Sequence, residues 1–167
     1  MKRIHVAAAA ALVVLVVPAL TGCFNGQDAT TTTQASMNSG NGVEATKGAI
    51  HIENATLVMG PEGSGTATLV VRIVNTGIED DALTYASING APATVIEPAG
   101  AGDAAGVIGP GASVSYGYDS EGRINAEGLD VLPSSYVDVE LGFEKAGLVT
   151  MSVLTVPPVG YYAGITP

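Results

Sequence analysis

Few side chains in this sequence are suited to bind a soft metal ion. After residue 22 the candidates are His51, Met37, Met59 and Met151. Cu(I) selects imidazole and thioether donors, but a site needs several of them at one point. His51 and Met59 share one predicted strand, eight positions and roughly 26 Å apart if extended. Met37 lies in a polar tract, and Met151 falls on the inward side of another strand. We therefore expect no metal ligand and no cofactor.

Nucleophilic catalysis has equally little support. His51 is the only histidine after residue 22, so a serine–histidine–acid site would have to use it as the base. It occupies an outward position of an alternating strand pattern, and no serine stands in a recognisable nucleophile turn. The sequence predicts a protein that is not an enzyme and has no catalytic residue.

Two acidic groups are candidates for a hard cation. One is the run Glu79-Asp80-Asp81, and the other has four members further along the chain. Calcium takes about six to eight oxygens at defined spacing, and neither group has the spacing of a known binding loop. We expect both to be solvated turn residues. The second group consists of Asp119, Glu121, Asn125 and Glu127.

The glycine-rich segment 100–106 has the composition of a phosphate-binding loop. Such a loop needs a strand before it and a helix that starts within it. Pro98 and Pro110 bracket this segment, and no helical periodicity follows. The sequence therefore predicts a flexible loop of glycine and alanine.

Cys23 is the only cysteine of the chain, and its setting is distinctive. Lys2 and Arg3 precede an uncharged apolar run over 6–20, as in a secretory signal peptide. The run is shorter than the roughly 20 residues of a membrane-spanning helix. Leu20-Thr21-Gly22-Cys23 resembles the lipobox of bacterial lipoproteins. That resemblance implies a diacylglycerol thioether on Cys23 and cleavage after Gly22. The alternative is an inert, buried thiol at the end of an uncleaved anchor.

The expected location is the outer face of the cell membrane, with the lipid on Cys23 as the membrane contact. A single acyl chain binds only marginally, whereas two or three make attachment effectively permanent. Removing residues 1–22, which contain Lys2 and Arg3 and no acid, changes the formal charge from −10 to −12. So acidic a surface argues against a nucleic-acid partner and against binding anionic lipid headgroups through side chains.

Four segments are predicted along the chain. Residues 1–22 are the signal peptide, and 23–47 are a flexible tether too polar to order itself. Residues 48–158 are a β-sandwich, and 159–167 are a short extended tail. The threonine run at 30–33 is a candidate for glycosylation, but its composition favours a plain linker.

Alternating apolar and polar residues with Gly/Pro turns predict roughly seven to nine short strands and an antiparallel β-sandwich. Asn89-Gly90 predicts a tight hairpin. Leu83, Tyr85 and Ser87 are expected to lie on one face of a strand, and 119–132 is the least regular segment. The strand whose register is best specified has an inward face that consists of Val137, Val139, Leu141 and Phe143.

The order of several segments resembles the periplasmic copper chaperone family called PCu(A)C. These segments are residues 50–55, residues 80–87, the turn Ile108-Gly109-Pro110-Gly111, and residues 139–147. The resemblance covers about 48–156 and implies a cupredoxin-like β-sandwich. The lipobox, polar tether and Pro-rich tail are similar to those of actinobacterial lipoproteins of the LpqE type, which look like lipid-anchored members of that family.

The resemblance also implies a copper site built from a His and Met on one loop and a His-x-Met pair. This sequence has no histidine near Ile96-Glu97-Pro98, and Arg123-Ile124-Asn125 stands where His-x-Met would fall. We therefore expect a non-catalytic binding or accessory protein of the cell envelope, with an unidentified protein or glycan partner. The alternative is a copper metallochaperone with unrecognised ligands.

Overall fold

The computed structural model describes residues 42–98, 106–117 and 121–165. Ten strands and one turn of 3₁₀-helix make up its regular structure, and the described part of the chain contains no α-helix. The strands are β1 Val43–Lys47, β2 Ile50–Met59, β3 Ala67–Asn75, β4 Asp81–Ile88, β5 Ala91–Ile96, β6 Val107–Ile108, β7 Ser113–Tyr116, β8 Arg123–Ala126, β9 Tyr136–Phe143 and β10 Gly147–Val156, and the 3₁₀ turn is Gly160–Tyr162.

The strands form two faces joined at two short seams. β2, β3 and β8 lie on one face, with β1 and β7 beside them, while β4, β9 and β10 form the other. β5 pairs with both β4 and β8, and β10 pairs with both β9 and β2. The sheet therefore returns to its starting strand through β2, β10, β9, β4, β5, β8 and β3. The predicted all-β sandwich is confirmed, and its only parallel pairing among the described strands is β10–β2.

The apolar side chains of both faces meet in one core. The predicted inward face of β9 is buried, with Val139 and Leu141 fully inaccessible to solvent. Ile52 and Leu69 of the other face belong to the same buried cluster and are 1% and 0% exposed. The period-2 pattern of β9 therefore gives the correct register, because shifting it by one residue would bury Asp138 instead.

Strand β4 departs from the expected alternation. Its register against β9 shifts between Leu83 and Tyr85, as in a β-bulge. After the shift Ala86 and Ile88 point into the core, while Tyr85 is 46% exposed. The expectation that Leu83, Tyr85 and Ser87 lie on one face is wrong, because one inserted residue reverses the facing of Tyr85 and Ser87 relative to Leu83.

Three segments differ from the sequence prediction. Val43–Lys47 was assigned to the tether, but it is a strand that pairs with β2, so the fold begins before residue 48. The irregular segment 119–132 contains β8, whose Ile124 and Ala126 are buried. The tail is not wholly extended, since Gly160–Tyr162 forms a 3₁₀ turn and Ile165 is buried. The signal peptide, Cys23 and the rest of the tether lie outside the described residues.

The Asn89-Gly90 hairpin is confirmed. Asn89 and Gly90 have φ values of 52° and 77°, the left-handed values that a two-residue turn of this type requires. The turn brings β5 back from β4, and β5 then continues alongside β8. It therefore fixes which residues of β5 face β8.

Candidate functional site

The β5–β8 pairing brings together the two regions in which the family resemblance places copper ligands. Ile96 lies opposite Arg123, and Thr94 lies opposite Asn125. These pairs point away from the core, while Val95 and Ile124 between them point inward. Side chains at these paired positions of β5 and β8 are therefore close enough to act as one site.

Arg123 occupies the first position of the His-x-Met match. Its Nη1 donates hydrogen bonds to the backbone oxygens of Gly117 and Gly122, each at 2.9 Å. A guanidinium stays protonated in proteins and has no lone pair for a metal. The side chain therefore supplies a fixed positive charge and no metal-binding lone pair at this position of β8.

Asn125 occupies the second position of that match. Its Oδ1 accepts a hydrogen bond of 2.9 Å from the hydroxyl of Thr68, which is fully buried. An amide oxygen is a hard donor that suits Mg²⁺ or Ca²⁺ better than Cu(I). Because Thr68 depends on it for its hydrogen bond, Asn125 has a structural role in joining β8 to β3.

Glu97 and Tyr116 form a polar pair at the end of β5. The Tyr116 hydroxyl donates to Glu97 Oε2 at 2.9 Å, and the tyrosine is only 1% exposed. Burial, reinforced by the neighbouring carboxylate, raises the pKa of the Tyr116 phenol well above its usual value. The phenol therefore remains a proton donor, and its hydrogen bond fixes Glu97 near the position where the first histidine would be expected. The sequence contained no signal for this pair beyond the apolar alternation of β7.

The predicted soft-metal candidates do not converge. His51 is half-buried on β2, and its Nδ1 lies 3.4 Å from the hydroxyl oxygen of Thr46. Met59 and Met151 are both buried in the core, where each packs as an apolar side chain. Met37 lies outside the described residues. Across the described ranges no three His, Cys, Asp or Glu side chains are grouped so that they could hold a metal ion.

The expectation that all of Glu79-Asp80-Asp81 is solvated is wrong at Asp81. This residue is only 6% exposed, and its carboxylate accepts three backbone N–H groups, from Ala82, Lys145 and Ala146, at 2.8–2.9 Å. Burial alone would raise the pKa of the carboxyl, but the three amides and the nearby Lys145 charge hold it below its ordinary value. Asp81 thus ties β4 to the β9–β10 turn.

The other predicted groups are not assembled into a site. Glu121 and Glu127 are exposed, and Asp119 lies outside the described residues. Most of the glycine-rich segment 100–106 also lies outside them, but its last residue, Gly106, leads into strand β6 and not into a helix. A nucleotide-binding turn of the strand–loop–helix type is therefore not formed there.

A cavity of about 350 Å³ lies beside Asp81, between the 77–81 loop and the β9–β10 turn. Lys145 Nζ and Glu79 Oε2 form an ion pair of 3.1 Å at its rim. Ile78, on the same loop, is 93% exposed. Asp81 accepts its hydrogen bonds from backbone amides of the protein itself, so its carboxylate is not available to a ligand, whereas the exposed Asp80 also lines the cavity.

The comparisons with solved structures agree with this architecture. A copper-bound PCuAC domain from PmoF2 matches with a TM-score of 0.59 and 24% identity, over 69% of this chain and 98% of that domain. An apo PCuAC domain from PmoF1 matches with a TM-score of 0.60 and 19% identity, over 69% and 99%. The apo PmoF2 PCuAC domain gives 0.60 and 23%, over 72% and 99%. No protein-family model and no curated protein matches the sequence.

These likenesses define the fold. The chain has a PCuAC-like, cupredoxin-like β fold, in agreement with the fold class predicted from the sequence. At such low identity they carry no residue of a copper site over to this chain. The described residues also contain no helix that is both long and apolar enough to cross a membrane.

Proposed function

We propose that the chain is a lipid-anchored protein of the cell envelope whose PCuAC-like domain binds a partner and does not carry copper. The observation that supports this proposal is the identity and the hydrogen bonding of two residues on β8, the strand that pairs with β5. Arg123 and Asn125 stand at the His-x-Met positions, and both are engaged in hydrogen bonds within the fold. The membrane contact through a lipid on Cys23, the outer-face location and the absence of catalysis are parts of the same proposal and rest on the sequence.

Electrostatics supports the proposal that copper is not carried. Bringing Cu(I) to β8 would place a second positive charge next to a guanidinium that cannot lose its proton. It would also require Asn125 to give up its hydrogen bond to the buried Thr68 hydroxyl. An unsatisfied buried hydroxyl is costly, so both changes oppose metal binding.

The alternative is a copper metallochaperone with other ligands, and one of the similar structures is indeed a copper-bound PCuAC domain. Competition with a colorimetric Cu(I) chelator separates the two. At equimolar protein the chelator should stay fully loaded. Stoichiometric removal of copper that His51→Ala or Met59→Ala abolishes would overturn the proposal and establish the chaperone reading.

A gain-of-function variant provides the matched control. Arg123→His combined with Asn125→Met restores a His-x-Met pair on β8 and removes the guanidinium charge. This double variant should compete for Cu(I) better than the parent protein does. If it binds copper no better than the parent, the two residues are not what prevents binding.

A further inference from the structure

The outward-facing side of β9 and its two neighbours takes no part in the site described above. The outward positions of β9 alternate with the buried ones, and β4 and β10 pair with it on either side. We call the outward positions of these three strands the β9 outer face. On β9 itself they are Tyr136, Asp138, Glu140 and Gly142.

One row across this face forms an apolar platform, which consists of Tyr85, Gly142 and Leu148. Tyr85 of β4 and Leu148 of β10 both lie opposite Gly142. A Cβ on Gly142 would be 2.9 Å from Tyr85 Cβ and 3.4 Å from its ring atom Cδ1, so the ring lies across the glycine. Tyr85 is 46% exposed and Leu148 is 48% exposed. One face of the tyrosine ring is therefore supported by backbone while the other is open to solvent.

The next row along the strands presents hydrogen-bonding groups. Glu140 and Thr150 lie opposite one another in this row, two residues of strand or about 7 Å from the platform, and Ser87, which is 1% exposed, lies opposite Glu140 on β4. Glu140 Oε2 accepts a hydrogen bond of 3.2 Å from the Ser87 hydroxyl. Within the described part of the chain Glu140 has no other side-chain hydrogen bond, so its second oxygen is available as an acceptor.

A second tyrosine stands at the other end of the same strand. Tyr136 is 68% exposed and lies opposite the half-buried Leu154. Six residues of strand separate it from Gly142, or about 20 Å. The carboxylates Asp138 and Glu140 and the hydroxyls Thr150 and Ser152 lie between the two ends. The β9 outer face is therefore elongated, with an aromatic ring at each end.

The charge of this face selects the kind of ligand. β4, β9 and β10 contain carboxylates and hydroxyls but no Lys or Arg. A second copy that docked through this same face would place Glu140 and Asp138 against the same carboxylates, and a polyanion would be repelled in the same way. An uncharged ligand rich in hydroxyl donors meets no such repulsion and can satisfy the carboxylate acceptors.

We propose that the β9 outer face binds a neutral polysaccharide. The open face of Tyr85 stacks on the C–H side of a sugar ring, since aromatic faces attract such weakly positive hydrogens. Glu140 accepts hydrogen bonds from the sugar hydroxyls, and Tyr136 supports a later unit of the same polymer. This inference rests on the proposed function, a protein that binds a partner, and adds the chemical class of that partner.

The test is the retardation of the full chain in native gels that contain a mannan, an α-glucan or a galactan. Retardation on at least one of them is expected, and it should persist in high salt because the ligand carries no charge. Tyr85→Ala and Glu140→Gln should each weaken binding at least tenfold, whereas Tyr161→Ala, an exposed tyrosine outside the face, should not. Glu140→Gln keeps the size of the side chain, and equal midpoints in urea melts of parent and variant would show that its loss of binding does not come from misfolding.

Tyr85→Trp adds a direct reporter, because the chain contains no other tryptophan. Its emission should change as the retarding polysaccharide is titrated. No retardation on any of the three polymers would overturn the proposal, and so would retardation that survives Tyr85→Ala and Glu140→Gln. Salt-sensitive binding to polylysine alone would replace the glycan with a basic partner. None of these outcomes depends on copper, so the failure of this proposal can be distinguished from the failure of the proposed function, which the Cu(I) competition assay tests.

Discussion

Asp81 shows how a single carboxylate can determine the path of a chain in a protein with few charges. Its two oxygens satisfy three backbone N–H groups, two of which belong to the turn between β9 and β10. Those amides would otherwise lie against a buried side chain with no acceptor. Asp81 therefore holds a distant hairpin in place, although in the sequence it looks like the last residue of a solvated acidic run.

The pH dependence of stability follows from the direction of this shift. The folded protein lowers the pKa of Asp81 below its usual 3.8. The carboxylate thus contributes its full stabilisation above the pKa of the unfolded chain and loses it as pH falls through the lower, folded pKa. Asp81→Asn should destabilise the neutral-pH protein by about 1–3 kcal/mol, since one amide would face an NH₂ group. Urea melts at neutral pH measure this difference.

The same variant should also lose less stability than the parent on acidification below about pH 4, since it has no charge at this position to lose. Asp80→Asn is the control, because Asp80 is the exposed neighbour in the same run. Equal acid profiles for parent and Asp81→Asn would mean that Asp81 does not contribute to the acid sensitivity of the fold.

At the scale of elements, β9 and β4 show what the sequence can and cannot predict. β9 was predicted with the correct facing because four apolar residues alternate with polar ones without interruption. β4 has the same kind of pattern, but its bulge changes the phase between Leu83 and Tyr85. A bulge depends on the partner strand, which a pattern within one segment does not contain.

Strands β1 and β8 and the hydrogen bonds of the candidate site could not be predicted from the sequence for similar reasons. β1 and β8 are short and rich in polar residues, so local periodicity could not distinguish them from linker. The sequence places Arg123 and Asn125 where the family resemblance implies a His-x-Met pair, but it contains no sign of the hydrogen bonds that hold these two side chains. These bonds join residues as far apart as Thr68 and Asn125, and only the folded sheet brings such residues together.

The facing of β9 gives a prediction for stability. Val139 is fully buried between Ile88 and Met151, whereas the side chain of Asp138 is exposed. Val139→Asp would bury an unpaired charge and should cost about 3–5 kcal/mol. Asp138→Ala should change stability by less than about 0.5 kcal/mol. Denaturant melts of the two variants check this, and equal midpoints would contradict the facing.

Two glycines with similar positive φ values, one crowded and one open, allow the cost of backbone strain to be distinguished from the cost of a steric clash. Gly106 has φ of +74°, and a Cβ there would come within 2.5 Å of the Leu83 backbone oxygen. Gly111 has a similar φ of +67° but nothing within 4 Å. Gly111→Ala should therefore cost about 1–2 kcal/mol, the strain of a left-handed residue. Gly106→Ala should cost clearly more in the same thermal melts, and equal losses would mean that β6 moves aside without penalty.

At the scale of the whole molecule, the membrane attachment is open to a direct test. Cys23→Ser removes the sulfur on which the proposed thioether depends, so the chain should accumulate as an unprocessed precursor or leave the membrane fraction. Membrane fractionation and gel mobility of parent and variant measure both outcomes. Identical fractionation and identical mobility would mean that Cys23 carries no lipid.

The closure of the sheet on itself has a consequence for when the protein can fold. The parallel seam joins Thr155 and Val156 of the last strand to Leu57 and Val58 near the start of the domain. Closing so long a loop costs entropy that no local contact offsets, and sheets with distant pairings fold slowly, in milliseconds to seconds. Until β10 has been made, both β9 and this end of β2 remain open edges able to pair with other chains. During synthesis these edges therefore stay unpaired, and able to pair with other chains, until the residues of β10 have been made.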